Sequence, residues 1–572
     1  MKHRHRLLRY GPAPRRQVVP VLGIASACLL ASVSAQGWAQ TVPTPGDLQR
    51  QVEPARPSPL PELSRQPRRL TQPSLPQPGA SVARIREWTL VGNTVLTSER
   101  LLPLLQPFTG VALSLVQIRE AAAVIQQAYE EAGWLARVDI PAQDITEGRV
   151  TLQITESRLG RVQLDSQSTS RVSLERLRSL LEAQQAPGAP LNLEAVNRGL
   201  LLADDLNGVG VVGTLAPGVN PSTTDIVLRA HAERPLLLDL SMDNTGARSV
   251  GAEKLTATLN WISPAGFGET YTAQASKTQG SDYLRLAAGA PLGYDGWRYS
   301  VYMTRMDYKI ITPDAEGRRQ DINGNTLTAG LDLTYPLLRR REANLLLVMG
   351  LDERRFEGFA NGALNSKYAV PGAQLSVVGN FFDTWGGSAS NTYALTWRSG
   401  EVGRIQPQEN LSTQGRFHKV TWNYSRQQSL GPDFTFFTSV SGQNTGSKEL
   451  DSSENMSLGG PSGVRAYPVG EASGPQARIA NLELRWRVHP QWLITPFYDE
   501  ARVEKRVSGG PAAYALRGSG LSVAWSGRSG VAVRAIYARR LGNNPNANTT
   551  TGMDGDGSRR LNRFWLTASA SF

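Results

Sequence analysis

The chain of 572 residues has few of the side chains that metal sites, disulfides and nucleophilic catalysis require. It contains one cysteine, Cys28, and five histidines scattered along the sequence. One cysteine cannot form an internal disulfide, and a zinc–cysteine site needs several. The sequence also has no HExxH, Walker, nucleophile-elbow or EF-hand pattern. These absences argue against an enzyme, and they predict a protein with no metal and no cofactor.

Long apolar runs are equally scarce. One extended apolar stretch, residues 18–33, follows six Lys and Arg residues and precedes small residues suited to signal cleavage. This order predicts a secretory signal peptide over residues 1–39, which also contains Cys28. No other apolar run approaches the roughly 18 residues that a membrane-spanning helix needs. If the mature chain enters a membrane, we expect it to do so as β-strands.

The charge of the chain gives no sign of a nucleic-acid partner. The formal net charge is +12, but residues 1–39 hold six Lys/Arg and no Asp/Glu, so residues 40–572 carry 12 − 6 = +6. This is a small excess for so long a chain, and the basic residues form no stripe with interleaved aromatics. We therefore expect no nucleic acid among its partners.

From residue 235 to residue 572 the sequence repeats short segments in which apolar and polar residues alternate. In the run Ile479–Val488, one face would carry Leu482, Leu484, Trp486 and Val488, and the other Asn481, Glu483, Arg485 and Arg487. Alternation over about ten residues is typical of a strand that meets lipid on one face and a wet lumen on the other. The segments predict a transmembrane β-barrel of about 16 antiparallel strands, with a long break at about 444–476 between the eleventh and twelfth.

Three smaller regions precede the predicted barrel. Residues 40–81 are rich in proline and read as a linker that begins with one short helix. So short a helix is marginal in water and would persist only if it docked, for example inside the barrel. Residues 82–157 and 158–234 each repeat the order strand, helix, helix, strand, strand. They predict two small α+β domains, with Ile118, Ile125 and Tyr129 in the core of the first. In the first repeat we predict the strand over residues 82–91 and the shorter helix near residues 97–105.

Two short motifs carry a resemblance to a known family. The run Val464-Arg465-Ala466-Tyr467 in the long break resembles a Val-Arg-Gly-Tyr loop, and Phe497-Tyr-Asp499-Glu-Ala501 resembles a Phe-x-Asp-x-Gly motif of a thirteenth strand. Together with the organisation of the whole mature chain, these two motifs make the sequence similar to the TpsB family. These proteins are outer-membrane transporters of two-partner secretion, of the hemolysin secretion/activation type, and their two α+β units are POTRA domains. Alanine replaces glycine at residues 466 and 501, which would cost stability if either site required a positive φ angle.

The resemblance implies that the long break folds back into the barrel. Phe497 and Asp499 are two residues apart on a predicted strand and would face the same way, and an inserted Arg465 could form a bidentate pair with the carboxylate. We assign Val464, Arg465, Ala466, Tyr467, Phe497 and Asp499 to a loop–barrel lock. The alternative is that Arg465 is an exposed loop residue and Asp499 a solvated charge of the lumen.

The resemblance also implies the partners and the remaining sites. The partners would be an unfolded, TpsA-like exoprotein, outer-membrane lipid, and the periplasmic chaperones and barrel-assembly machinery used in biogenesis. The N-terminal domains would lie in the periplasm. There the longer helix and the following strand of the first POTRA domain would bind the exoprotein, with Trp134 and Arg137 as candidate contacts. The terminal Phe572 would be the recognition signal for barrel insertion.

Two other functions fit part of the pattern. An insertase for other barrels shares the architecture but would normally have more POTRA domains. A diffusion porin accounts for the barrel but leaves residues 82–234 without a role. The sequence does not identify the exoprotein, which could be a hemolysin, an adhesin, a contact-dependent toxin or a heme scavenger.

Overall fold

The computed structural model describes residues 43–53, 60–61, 82–313, 318–407, 412–446, 449–504, 513–548 and 550–572. The predicted signal peptide and most of the predicted linker lie outside these residues. Within them, no helix combines the length and the apolar composition that crossing a bilayer would require.

The helices belong to the N-terminal part of the chain, except for one short turn in the long break. They are α1 (Pro45–Val52), α2 (Ser98–Leu101), α3 (Leu115–Glu131), α4 (Leu174–Gln184) and α5 (Leu193–Asp204), with 3-10 turns at Leu102–Phe108 and Ser452–Glu454. The strands of the N-terminal domains are β1 (Val82–Arg84), β2 (Glu87–Val91), β3 (Ala112–Ser114), β4 (Ala136–Asp139), β5 (Arg149–Glu156), β6 (Arg158–Leu164), β7 (Val209–Pro217) and β8 (Thr223–Ala232).

Sixteen strands close into one antiparallel barrel. They are β9 (Leu236–Asp243), β10 (Lys254–Ile262), β11 (Thr270–Lys277), β12 (Ser281–Leu292), β13 (Trp297–Lys309), β14 (Ile322–Arg339), β15 (Ala343–Ala360), β16 (Ala363–Asp383), β17 (Ala389–Val402), β18 (Gly415–Ser429), β19 (Phe434–Thr445), β22 (Gln476–His489), β23 (Trp492–Glu504), β24 (Ala513–Ser526), β25 (Val531–Arg540) and β26 (Asn562–Ser571). The last strand pairs with the first, which satisfies the sheet edges as a membrane requires. The predicted barrel and its strand number are confirmed.

The alternating pattern explains the orientation of the strands. Along β22 the side chains of Leu482, Leu484, Trp486 and Val488 are exposed on the outer face. Asn481 and Glu483 bond to groups in the lumen, so they face inward. The long break separates β19 from β22, the eleventh and twelfth barrel strands, and contains the short pair β20 (Met456–Ser457) and β21 (Ser473–Gly474).

The two small domains share one architecture. Each has a three-stranded mixed sheet, in the order β2-β5-β4 in the first domain and β6-β8-β7 in the second, covered by helices. Ile118, Ile125 and Tyr129 of α3 are buried in the first core. Because β4 pairs with β5 alone, its second edge has no strand partner in the described part of the chain.

Two boundaries predicted in the first domain are wrong. The single strand predicted over residues 82–91 is two strands in two sheets, because the backbone of Ile85 still bonds Val111 and Gly110 beside β3, and pairing with β5 begins only at Glu87. The helix predicted over residues 97–105 stays α-helical only to Leu101. It continues as a 3-10 turn because Pro103 and Pro107 lack the N–H groups that an α-helix needs.

Helix α1 lies inside the barrel. Its capping box pairs Thr44 with the third helical residue, and Leu48 and Val52 pack on lumen-facing aromatic and aliphatic side chains of β12 to β14. Gln49 donates a 2.9 Å hydrogen bond from Nε2 to the Thr328 hydroxyl on the barrel wall. Tertiary packing of this kind stabilises a two-turn helix that would be marginal alone.

The second small domain docks on the end of the barrel where the chain enters it. Arg339, at the end of β14, donates two hydrogen bonds of 2.8 and 2.7 Å to the carboxylate of Asp205. The guanidinium of Arg198 bonds the carbonyl of Pro336 at 3.0 Å. These contacts fix the domain beneath the barrel opening, and the Asn380 amide donates to the carbonyl of Pro61 at the same opening.

Candidate functional site

The loop between β19 and β22 folds into the lumen. Its centre is fully buried: Val464, Ala466 and Tyr467 have no exposed surface and pack with residues of β22 to β26. The backbone at Gly463 is so close to Leu458 that a Cβ there would lie 2.1 Å from the Leu458 carbonyl oxygen. The turn that delivers the next four residues to the wall therefore requires glycine at this position.

The two alanines that depart from the family motifs fit without backbone strain. Neither Ala466 nor Ala501 is among the non-glycine residues with positive φ in the described chain. The methyl group of Ala466 faces Gly518 of β24, where a Cβ would come within 2.6 Å of it. The missing side chain at residue 518 thus leaves room for the extra methyl at residue 466.

Arg465 is bound to Asp499 through three of its nitrogen atoms. The backbone N–H, Nε and Nη2 donate to the carboxylate at 3.0, 2.9 and 2.6 Å. The guanidinium also lies 3.5 Å from the centroid of the Phe497 ring. Asp499 is fully buried, and Arg465 is 3% exposed, so water does not screen this pair.

Further partners of Arg465, which sequence reasoning did not find, complete the site. Its Nη1 donates to Glu483 at 2.8 Å, and Arg485 donates to the other oxygen of Glu483 at 2.9 Å. Asn481 donates to Asp499 at 2.8 Å. Each buried carboxylate of the site is therefore bound by at least one guanidinium group, which limits the cost of burying these charges.

The rest of the loop centre is held by the last two barrel strands. The indole N–H of Trp565, on β26, donates to the carbonyl of Arg465 at 2.8 Å. The Arg540 guanidinium lies 4.5 Å from the centroid of the Tyr467 ring and forms a buried ion pair with Asp554. The loop therefore contacts the wall at β22 and β23 on one side and at β25 and β26 on the other.

A second buried ion cluster holds the start of the loop to the opposite wall. Glu454 of the 3-10 turn forms ion pairs with Arg354, Arg398 and Lys419 at 3.1, 3.2 and 2.9 Å. Arg398 also bonds Asp352 at 2.5 Å. These residues project into the lumen from β15, β17 and β18, so the loop spans the barrel between two ionic attachments.

Helix α1 binds the same loop. The hydroxyl of Thr44 donates to Ser452 at 2.5 Å, and Arg50 donates to the carbonyl of Asn455 at 2.7 Å. Arg50 also donates to the Ser473 hydroxyl at 3.1 Å. The helix, the loop and the wall therefore pack as one unit in the lumen.

The structure places the other predicted site residues outside the barrel lumen. Trp134 is partly buried against the core of the first small domain, and its backbone pairs with Asn192 of the second domain. Arg137 is exposed on β4 and forms a 2.7 Å ion pair with Asp139. The N–H of the terminal Phe572 donates to the carbonyl of Leu238 at 2.9 Å.

One further polar cluster supports the strand that follows α3. The Glu156 carboxylate, at the end of β5, accepts hydrogen bonds from the backbone N–H groups of Thr94 and Val95, both at 2.7 Å, and from the Tyr129 hydroxyl at 2.8 Å. Burial opposes ionisation of this carboxyl, but the hydrogen bonds outweigh it and lower the pKa of Glu156. Burial, followed by the bond to Glu156, raises the pKa of Tyr129.

Fold and site together define a class of protein. A closed barrel with lipid-facing strands, two small α+β domains at one opening and a loop locked inside the lumen is the architecture of the outer-membrane transporters that carry POTRA domains.

Comparisons with known proteins agree with this class. Residues 222–523 match the family described as Haemolysin secretion/activation protein ShlB/FhaC/HecB, and residues 83–157 match the POTRA domain, ShlB-type. The chain is 24% identical to the "Outer membrane transporter CdiB" of Dickeya dadantii (strain 3937), over 65% of this chain and 67% of the relative. It is 21% identical to the "Heme/hemopexin transporter protein HuxB" of Haemophilus influenzae (strain ATCC 51907 / DSM 11121 / KW20 / Rd), over 84% and 85%.

A solved structure shows the same fold. The chain superimposes on "CdiB from Escherichia coli" with a TM-score of 0.72 at 19% identity, covering 88% of this chain and 93% of that structure. Because the family match spans more than half of the sequence, the chain belongs to the haemolysin secretion/activation family. It is an outer-membrane barrel of the TpsB type, with its POTRA domains in the periplasm, and the family transports secreted partner proteins.

Proposed function

We propose that this chain captures one unfolded exoprotein in the periplasm through its first POTRA domain and passes it through the barrel to the cell surface. The observation that carries the proposal is the occupied lumen, in which a loop and a helix are held to the barrel wall by apolar packing and by ionic contacts.

The free edge of β4 supports capture by strand addition. An extended polypeptide can pair its backbone with an exposed sheet edge irrespective of its sequence, which suits an unfolded substrate. Arg137 and its partner Asp139 lie on this four-residue strand, with Arg137 fully available to solvent on one side. Trp134 packs at the junction of the two domains, so its contribution would be to hold β4 in place next to the substrate.

Conduction requires that the lumen be vacated. Helix α1 and the loop contact each other and the wall, so a polypeptide cannot pass while both stay in place. We expect α1 to leave toward the periplasm, because the chain that follows it returns to the periplasmic opening at residues 60–61. Arg465 and Asp499 then hold the remaining loop in register against the wall.

An outer-membrane barrel also needs partners that insert it into the membrane. Phe572 directly follows β26, and its alternation with Leu566, Ala568 and Ala570 puts it on the outward face, as a signal for barrel-assembly machinery would need. Periplasmic chaperones would deliver the chain to that machinery.

Deletion of residues 82–157 tests the proposal. Export of the exoprotein should be lost while the barrel still inserts in the outer membrane, and unimpaired export would refute capture by this domain. A sharper variant is Arg137→Glu, which alters the β4 edge and should reduce the exported amount severalfold. Arg149→Glu is the matched control, since Arg149 is also exposed and paired with a neighbouring acid but lies on β5. An insertase would instead show a fall in many outer-membrane proteins when the chain is depleted.

A further inference from the structure

The lipid-facing surface of β22 to β25 carries an excess of positive charge. The cross-strand register places Arg478, Arg502 and Arg517 on the outer face of β22, β23 and β24, and Arg539 follows on β25. All four are exposed. Two acidic residues lie on the outer face among them: Glu500, which Arg517 binds at 3.0 Å, and the exposed Glu504, two residues after Arg502 on β23. Four cations and two anions therefore leave an excess of two positive charges.

Among the residues that the structure describes, three of these guanidinium groups have no ionic partner. Within the described part of the chain, no carboxylate lies within ion-pair distance of Arg478, Arg502 or Arg539. We refer to Arg478, Arg502, Arg517 and Arg539 as the basic patch.

Another sector of the same barrel shows that this excess is local. There four outward cations of β11 to β16 each lie 2.6 to 2.9 Å from an outward carboxylate, and among the described residues Lys309, at the end of β13, is the exposed outward cation without such a pair. The four pairs are Lys277–Asp282, Arg305–Asp307, Arg355–Glu353 and Lys367–Glu357. Self-pairing removes the attraction of that sector for an external anion, whereas the basic patch retains it.

The height of the basic patch matches the head-group layer of the membrane. Tryptophans mark the opposite end of the same strands, and eight residues separate Arg478 from Trp486 on β22. Eight residues extend about 26 Å along a strand, or about 20 Å across a membrane at the usual tilt of a barrel strand. Because an apolar band is about 25 Å tall, the backbone of Arg478 lies about 5 Å inside its outer edge, and the long arginine side chain can extend from there to the outer-leaflet phosphates.

An apolar groove of about 470 Å³ runs from the basic patch toward the membrane interior. Small residues form its floor, and Trp422, Leu482 and Tyr498 form its walls. Gly442 lies opposite Arg478 in the β19–β22 pair, and Ala480 lies opposite Val440. A Cβ at Gly442 would come within 2.5 Å of the Trp422 indole, so glycine leaves room for this wall of the groove.

We propose that the basic patch and this groove form a binding site for a phosphate-bearing lipid of the outer leaflet. The arginines bind the phosphate through charge-assisted, bidentate hydrogen bonds, and one acyl chain fills the groove. Outer-leaflet lipid is the occupant because the site faces the membrane on the barrel exterior, at the height of the head groups. A soluble anion would have no use for the apolar groove.

The test uses the full-length protein in detergent, with lipid A carrying its phosphates and the same lipid with the phosphates removed. Bound lipid is counted by native mass spectrometry. The wild type should retain the phosphorylated lipid at least about tenfold better, since several arginines near the head group contribute. The triple variant Arg478→Gln, Arg502→Gln, Arg539→Gln should lose this preference. The matched control Lys277→Gln, Arg305→Gln, Arg355→Gln removes the same charge from the paired sector and should keep it.

A second variant separates the groove from the charge. Ala480→Trp fills the groove without changing any charge and should also reduce retention of the phosphorylated lipid. Folding of each variant is checked by its mobility in SDS gels before and after heating. Equal retention of the two lipids by the wild type, or equal losses in the two triple variants, would overturn the proposal. Displacement of the lipid by inorganic phosphate alone would show that the groove contributes nothing.

Discussion

Removal of the Arg465 side chain should release the loop from the barrel wall. In Arg465→Ala, the carboxylate of Asp499 stays buried without an ion-pair partner among the described residues, and Glu483 keeps its ion pair with Arg485. Removing one partner of a buried ion pair costs about 3–5 kcal/mol, because the remaining charge is left uncompensated. The lost contact of the guanidinium with the Phe497 ring adds to this cost.

A cost of about 3 kcal/mol would shift the equilibrium between the inserted and the displaced loop by about a hundredfold. The loop can be observed directly, because the mature chain contains no cysteine and Ser462 at the loop tip is exposed. A spin label on Ser462→Cys should be immobilised in the wild type and mobile in Arg465→Ala. Export of the exoprotein should fall with the inserted population.

Three further variants test whether the ion pair holds the loop. Asp499→Asn keeps the shape of the site and should mobilise the label less than Arg465→Ala, since Arg465 keeps Glu483. The double variant should cost less than the two single losses added, because both remove one interaction. Arg305→Ala is the control, since Arg305 is an exposed outward residue paired with Asp307. An immobile label together with full export in Arg465→Ala would refute the lock.

Three other perturbations have defined outcomes. Deletion of residues 43–53 should raise the ion conductance of the barrel in planar bilayers severalfold, because a helix of about 10 Å diameter leaves the lumen. Arg339→Ala should loosen the second POTRA domain from the barrel, because Asp205 loses its ion-pair partner at a cost of about 3 kcal/mol. The distribution of distances between a spin label on the domain and one on the barrel should become broader. Glu156→Gln should speed hydrogen exchange in residues 82–157, for a loss of about 1–3 kcal/mol. Because folding lowers the pKa of Glu156, its ionised carboxylate stabilises the fold above the unfolded pKa of about 4.3. The difference in unfolding free energy between the wild type and Glu156→Gln should therefore shrink as the pH falls below that value.

Sequence alone determined the barrel and its strand number, because the period of alternation is a local property. Asn481 and Glu483 alternate with Leu482 and Leu484, so the sequence already separates the lumen face from the lipid face. The same reasoning located the break between the eleventh and twelfth strands. It failed at Ile85, where the chain passes from one sheet to another, because the change depends on hydrogen bonds to residues distant in sequence.

Tertiary structure decided which of the inward side chains meet. Asn481 lies opposite Asp499 through the register of β22 and β23, and Glu483 reaches Arg465 for the same reason. The cluster around Glu454 joins residues from three strands and the loop, with no shared spacing in the sequence. Helix α1 is placed in the lumen by packing, since its own two turns cannot fix its position. Local pattern specifies which face a residue takes, and closure of the barrel determines its neighbours across the lumen.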